Sequence, residues 1–171
     1  MQAARYSAID RTRDGRKIEI RALKPEDRDA MGAAVGRTSA QSLYRRFFGA
    51  KREFSEKEVA FFVNVDFINH VALVAVAQEG DEAVVAAGGR YIVQRPGTAE
   101  VAFIVTDPYQ GQGIGAALLR HLAAIGRDAG LKEFTAEVLP ENAPMLKVFE
   151  KSGLKSSTKR ERGVVHVGLQ L

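Results

Sequence analysis

The 171-residue chain contains no cysteine and no tryptophan. Without cysteine it can form neither a disulfide nor a thiolate metal site, and it cannot hold an acyl group on a cysteine sulfur. Residues 1–16 contain no apolar run of the kind that begins a secretory signal. No stretch reaches the roughly 18 consecutive apolar residues that a membrane span needs. We therefore expect a cytoplasmic protein with no membrane partner and no metal site.

A strong charge of one sign is also missing, since 25 basic and 21 acidic residues give a net charge of +4. This small excess suits a polyphosphate ligand as well as it suits nucleic acid. Four arginines fall within the first sixteen positions: Arg5, Arg11, Arg13 and Arg16. Only Tyr6 accompanies them as a stacking residue, so we expect no nucleic-acid partner. Residues 1–16 are predicted to be a flexible, solvated basic arm.

The length suits a single domain over residues 1–171, and its first half mixes a strand with helices. Residues 17–23 alternate apolar and polar side chains, which predicts a strand. Three helix starts follow, at Pro25, at Thr38 or Ser39, and at the capping box of Ser55 and Glu58. Segments 71–77, 83–94 and 98–106 are rich in β-branched and aromatic residues and predict an antiparallel meander. Within it, Gly88-Gly89 predicts a bulge or a close backbone approach.

The second half changes to a strand–helix–strand pattern. Apolar residues recur at helical spacing from Ile114 to Ile125, and Gly130 ends that helix. A strand at 132–139, a helix at 142–151 and strands at 154–159 and 164–171 complete the chain. One strand–helix–strand unit implies one parallel crossover. The fold class is therefore α+β, with a mixed, mostly antiparallel central sheet flanked by helices.

The most informative segment is residues 110–116, Gln-Gly-Gln-Gly-Ile-Gly-Ala, between a strand and the long apolar helix. Its glycines allow a close backbone approach, and the unpaired N–H groups of a helix start favour an anion. We expect a pyrophosphate to bind there. No Gly-Lys-Ser/Thr motif for a nucleoside triphosphate is present. The dinucleotide fingerprint is satisfied by Gly111, Gly113 and Ala116, but five residues separate it from its strand and antiparallel strands precede it.

The pattern Gln110-x-x-Gly113-x-Gly115 resembles the signature of the GNAT acetyltransferases. Residues 100–105 resemble the fourth strand of that family, and residues 139–154 resemble its asparagine-led helix and following strand. The resemblance covers about residues 18–171. It implies the GNAT acyl-CoA N-acyltransferase fold, a cofactor-binding core at 98–154, and acetyl-CoA or another short acyl-CoA as the cofactor.

The resemblance also implies which residues contact the cofactor. They are Phe103, Ile104, Val105, Gln110, Gly111, Gln112, Gly113, Ile114, Gly115, Ala116, Asn142 and Phe149. Backbone N–H groups around Ile104 and Val105 would face the thioester oxygen, and Asn142 would contact the pantetheine arm or serve as a helix N-cap. Phe149 stands where many family members have a tyrosine that protonates the leaving thiolate, and a phenylalanine cannot do so.

The acceptor is implied by the first half of the chain. Residues 42–48 and 70–75 resemble the acetyltransferase domain of bacterial protein lysine acyltransferases, although an amphipathic helix would explain the first segment too. A protein lysine is the implied acceptor, and a small-molecule amine is the alternative. A non-catalytic acyl-CoA-binding module is the alternative that Phe149 favours. A second copy of this chain, forming a homodimer, is a further candidate partner.

Amine attack on a thioester needs a base. A lysine with a pKa of about 10.4 is neutral in only about one molecule in 2,500 at pH 7, a deficit of about 4.6 kcal/mol. The three histidines have no motif partner, so direct transfer in a ternary complex is predicted. Glu100 resembles the catalytic glutamate of the lysine acyltransferases in its position, so it is the predicted base. The other interpretation is that Glu100 is an exposed strand residue with no catalytic role.

Overall fold

The computed structural model describes residues 2–27, 29–30 and 64–171. The predicted helix starts at Thr38 or Ser39 and at Ser55 lie outside these residues, as does the segment 42–48. Pro25 begins a short 3-10 helix, Pro25–Asp27. Within the described ranges, no helix is long and apolar enough to cross a membrane.

The described residues form one eight-stranded sheet with the strand order β1-β2-β3-β4-β5-β6-β8-β7. The strands are β1 Ser7–Arg11, β2 Lys17–Ala22, β3 His70–Glu79, β4 Glu82–Arg95, β5 Thr98–Val105, β6 Glu133–Val138, β7 Lys155–Glu161 and β8 Val164–Gln170. Two α-helices lie wholly within the described residues, α1 Ile114–Asp128 and α2 Ala143–Glu150. The β5–β6 pair is parallel and the other strand pairs of the described sheet are antiparallel, which confirms the predicted mixed sheet.

The N-terminal segment differs from the prediction of a flexible arm. Residues 7–11 form β1 and pair with β2 from Ser7↔Arg21 to Arg11↔Lys17. Asp10 accepts hydrogen bonds from Arg120 (2.9 Å) and His121 (3.1 Å), and the Tyr6 hydroxyl also bonds His121. Asp10 and Tyr6 therefore attach the segment to α1.

The two faces of the sheet carry different clusters. Side chains alternate along a strand, and one set packs against α1, whose Leu118 and Leu122 are fully buried. This α1 face includes Ile20, Leu73 and Phe134. We call the other side the second face. It carries a smaller buried cluster made of Leu23, Ala72, Val74 and Val85.

The close approach predicted at Gly88-Gly89 is confirmed, but the bulge lies nearby. A Cβ on Gly89 would lie 2.8 Å from the Phe103 ring, so only glycine fits there without a shift. The register of β3 and β4 shifts between Ala75 and Val76, leaving Ala86 as the extra residue of β4. The Ala86 carbonyl accepts from the N–H of Thr106 (2.9 Å) and from its hydroxyl (3.0 Å). The bulge therefore anchors the chain where it leaves β5.

Candidate functional site

A cleft opens where β5 and β6 part. The two strands pair only at Thr98↔Glu133, Ala99↔Phe134 and Glu100↔Thr135. Beyond Glu100, β5 continues to Val105 without β6 as a partner, so main-chain groups on that side of β5 are left to the cleft. The cleft has a volume of about 520 Å³. Its walls are residues 101–105 of β5, residues 136–138 of β6, the loop before α1 and one side of α2.

The loop from β5 to α1 is shaped by two glycines. The Gln110 side-chain amide donates to the carbonyl of Val105 (3.0 Å) and to Asp107 (3.2 Å), which ties the loop to the end of β5. Gly111 and Gly113 have φ values of +77° and +82°, a left-handed conformation that favours glycine. The first bond within α1 runs from Ala117 N–H to Gly113 O.

The start of α1 lies at the cleft and suits an anion. Ile114, Gly115 and Ala116 precede the first donor of the helix ladder, so their N–H groups have no partner within α1. The N-cap residue, Gly113, has no side chain that could cap this end. The helix dipole adds positive potential at the same place.

Most predicted cofactor residues line this cleft. They are Phe103, Ile104, Val105, Gln110, Gly111, Gly113, Ile114, Gly115, Ala116, Asn142 and Phe149. Gln112 is not among the lining residues, because its carbonyl and side-chain oxygens accept from the β1–β2 hairpin. The structure adds Arg13 from that hairpin, which the sequence assigned to a solvated arm.

The α2 side of the cleft combines an amide, two lysines and an aromatic pair. Asn142 accepts from the N–H of Met145 (3.4 Å), which confirms it as the N-cap of α2, and it also lines the cleft. Phe149 is buried and packs edge-on against Phe103, with ring centroids 6.2 Å apart. Lys147 and Lys151 line the same wall and add positive charge.

Glu100 lies at the point where the strands separate but does not line the cleft. It is exposed, and because Ala99 and Val101 pack on the α1 face, its side chain points to the second face. It pairs with Thr135 on β6 and Ile92 on β4, and it is the last residue of β5 paired with both neighbours. Glu100 therefore lies away from the start of α1, beside the point where β5 and β6 separate.

A buried histidine of β3 and an arginine of β4 lie together on the second face of the sheet. The His70 ring nitrogen Nε2 is 2.7 Å from the Arg90 guanidinium. Burial and then the charge of Arg90 lower the pKa of His70 to about 4, so the ring is neutral and accepts from the guanidinium. Local sequence patterns do not predict this pair, because His70 and Arg90 meet only through the β3–β4 register.

The loop before β3 holds His70 in place. The Asp66 carboxylate accepts from the N–H groups of Ile68, Asn69 and His70, each at 2.9 Å. These N–H donors hold the pKa of Asp66 below its usual value. Across residues 2–27, 29–30 and 64–171, no group of three histidine or acidic side chains is placed to hold a metal ion.

Comparison with known proteins gives a consistent match. The family model described as Acetyltransferase (GNAT) family matches residues 37–154. An acetyltransferase of Pseudomonas aeruginosa is 32% identical over 121 residues, which are 70% of this chain and 65% of that protein. The acetyltransferase Pat of Mycolicibacterium smegmatis is 32% identical over 143 residues, 82% of this chain and 42% of that protein. The chain therefore spans less than two thirds of the length of both relatives.

A solved structure matches nearly the whole chain. The GNAT domain of S. lividans PAT superimposes with a TM-score of 0.87 at 35% sequence identity. The match covers 96% of this chain and 97% of that chain. It confirms the fold that the sequence resemblance implied, and the single parallel pair excludes the dinucleotide-binding alternative.

Proposed function

Because the chain belongs to the GNAT acetyltransferase family, we propose that it transfers an acetyl group, or another short acyl group, from CoA to a primary amine. The observation that carries this proposal is the cleft itself. An open strand edge at residues 101–105 leads into a glycine loop and an uncapped helix start. The amides of the pantetheine arm of CoA can hydrogen-bond to the open strand edge, and its pyrophosphate can accept from the N–H groups at the helix start.

The described residues fit an acyl-CoA. The N–H groups of residues 113–116 would bind the pyrophosphate, since they are donors at the positive end of α1. The Asn142 amide nitrogen and the main chain of β5 would bind the polar groups of the pantetheine arm, and Phe103 and Phe149 would pack against its apolar part. Bound acyl-CoA supplies an activated thioester.

The residues of this chain would supply the proton transfer. Glu100 would accept a proton from the incoming amine, directly or through water, from the second face at the beginning of the split. Main-chain N–H groups at Ile104 and Val105 would stabilise the developing oxyanion. Phe149 has no proton to donate, so water or another group would protonate the thiolate, or the thiolate would leave unprotonated. The absence of cysteine favours direct transfer in a ternary complex.

We favour a protein lysine as the acceptor. The support is the resemblance of residues 42–48 and 70–75 to protein lysine acyltransferases, together with an exposed Glu100 that a bulky acceptor could reach. A small-molecule amine is the second candidate acceptor. A non-catalytic acyl-CoA-binding role is the alternative that Phe149 favours.

Calorimetry followed by a turnover assay separates these functions. We expect micromolar binding of acetyl-CoA and none of NADH when each is titrated into the purified protein. Release of CoA thiol can then be followed with a thiol reagent, with no background from the cysteine-free protein. Lysine peptides should support faster release than polyamines. Binding without release for any amine would support the non-catalytic role, and no binding of acetyl-CoA would contradict the proposal.

A further inference from the structure

The loop of the β1–β2 hairpin, residues 12–16, docks against the cofactor loop. The N–H of Arg13 donates to the carbonyl of Gln112 (2.8 Å), and the N–H of Asp14 donates to the Gln112 side-chain oxygen (3.3 Å). Gln112 lies between the two left-handed glycines. The hairpin is therefore held by main-chain donors against the middle of the loop that leads into α1.

The hairpin loop has a fixed conformation of its own. Thr12, which is buried, donates its N–H to the Arg16 carbonyl (2.8 Å), and its hydroxyl accepts from the Arg16 N–H (3.0 Å). Gly15 donates back to the Thr12 carbonyl (3.0 Å). The position of residue 13 at the rim of the cleft is thus set by the turn and by Gln112, and not by its own side chain.

The three arginines of this hairpin have different partners. Arg11 donates to the carbonyl of Gly15 (2.9 Å), inside the turn. Arg16 pairs with Asp14 (3.0 Å) and lies over the Tyr109 ring at 4.9 Å. Arg13, in contrast, lines the cleft, and its guanidinium makes no hydrogen bond or ion pair with the residues that the structure describes. Arg11 and Arg16 therefore stabilise the hairpin turn, whereas Arg13 lies at the cleft.

We propose that Arg13 is a cofactor-binding residue that contacts the pyrophosphate of acyl-CoA, with the β1–β2 hairpin as its support. This inference rests on the proposed function of the cleft. The N–H groups at the start of α1 offer only partial charges, whereas a pyrophosphate carries full negative charges. A guanidinium provides a full charge and a planar pair of donors that matches phosphate oxygens. Its anchor on Gln112 places Arg13 at the pyrophosphate end of the cleft, away from Glu100.

Titration calorimetry with two ligands tests the assignment. Wild type and Arg13→Gln are each titrated with CoA and with dephospho-CoA, which lacks the 3′-phosphate but keeps the pyrophosphate. We expect Arg13→Gln to weaken both ligands by about tenfold, or about 1.4 kcal/mol. Arg13→Lys, which keeps the charge but loses the fork, should recover part of that loss. Arg127→Gln is the charge-matched control, because Arg127 is exposed at the far end of α1, and it should stay within about twofold.

The outcomes distinguish this inference from the proposed function. A loss seen only with CoA would assign Arg13 to the 3′-phosphate and overturn the pyrophosphate contact. Unchanged affinity in Arg13→Gln, with wild type still binding CoA, would overturn the role of Arg13 alone. Failure of wild type to bind CoA would overturn the proposed function. Melting without ligand checks folding: the midpoint should not move, because main-chain groups make the contacts to Gln112, while the upward shift caused by CoA should shrink in Arg13→Gln.

Discussion

At the scale of single residues, Glu100 and Phe149 have different roles in the proposed reaction. Glu100 is the last residue of β5 that β6 still pairs, and its side chain points to the second face. Phe149 is buried within the cleft wall, where it packs on Phe103. In the proposed function, the Glu100 carboxylate would serve the acceptor amine, whereas the Phe149 ring beside the leaving group has no proton to give. If Glu100 is the base, its removal should have the larger effect on the rate.

Substitution of Glu100 by glutamine tests this directly. Glu100→Gln keeps the shape but removes the proton acceptor, so we expect turnover at pH 7 to fall at least tenfold. Acetyl-CoA affinity should stay within about threefold, because Glu100 does not line the cleft. Glu133→Gln, also on a strand of the β5–β6 pair and ion-paired with Arg95 at 3.8 Å, is the matched control. Full turnover in Glu100→Gln would contradict the assignment.

At the scale of elements, residues of β4 and β5 support the cleft from behind. They are Ala86, the pair Gly88-Gly89 and Phe103. The Ala86 carbonyl fixes Thr106, and Gly89 lets the Phe103 ring lie directly against the β4 backbone. Phe103 in turn lines the cleft. A side chain added at Gly89 would therefore disturb both the packing and the wall of the cleft.

Two neighbouring glycines provide a matched test of that support. A Cβ on Gly89 would meet Phe103 at 2.8 Å, whereas a Cβ on Gly88 would find ordinary contacts at 3.7 Å or more. We expect Gly89→Ala to lower the free energy of unfolding by about 1–3 kcal/mol and to weaken acetyl-CoA binding. Gly88→Ala should be close to neutral in both. Urea unfolding and calorimetry measure the two effects, and equal stabilities of the two variants would show that the Phe103 contact is unimportant.

The same elements show what sequence could and could not predict. The strands around the two glycines, α1 and the loop at 110–116 follow from local periodicity and glycine placement, which act over a few residues. The partners of Arg13, His70 and Asp10 do not, because each contact joins residues on different elements through strand register or hairpin docking. The basic N-terminal segment looked solvated because Asp10 and Tyr6 meet α1 more than a hundred residues later.

At the scale of the whole molecule, the titration of buried groups sets how stability depends on pH. Asp10 and Asp27 are partly or largely buried, which alone would raise their pKa values. For Asp10, the hydrogen bond from the Arg11 N–H and the interactions with His121 and Arg120 lower the pKa by more than burial raises it. For Asp27, the two hydrogen bonds from Arg21 (2.8 Å each) have the same effect. Their lowered pKa values give stability that is present above the unfolded value of about 3.9 and is lost as the pH falls below it.

His70 adds a second acid effect at higher pH. Its pKa is about 4 in the folded chain against 6.5 for a free histidine, so the unfolded state binds more protons between these values. Stability should therefore fall as the pH drops from about 6.5 toward 4, by at most about 3 kcal/mol for a shift of this size. Because carboxylates titrate lower, the slope between pH 6.5 and 5 isolates the histidine contribution.

Urea unfolding at several pH values measures that slope. We expect His70→Gln to be less stable than wild type at pH 7.5, since Arg90 loses its acceptor, yet to lose less stability between pH 6.5 and 5. His166→Gln is the control, because that ring is substantially exposed, at 42% of its side-chain surface, and should leave the slope unchanged. If His70→Gln and wild type showed the same slope, His70 would not be held neutral in the folded chain. A smaller slope would instead show that the second face keeps an uncharged His70 ring against the Arg90 guanidinium, which lies on β4, the strand that pairs directly with the strand of Glu100.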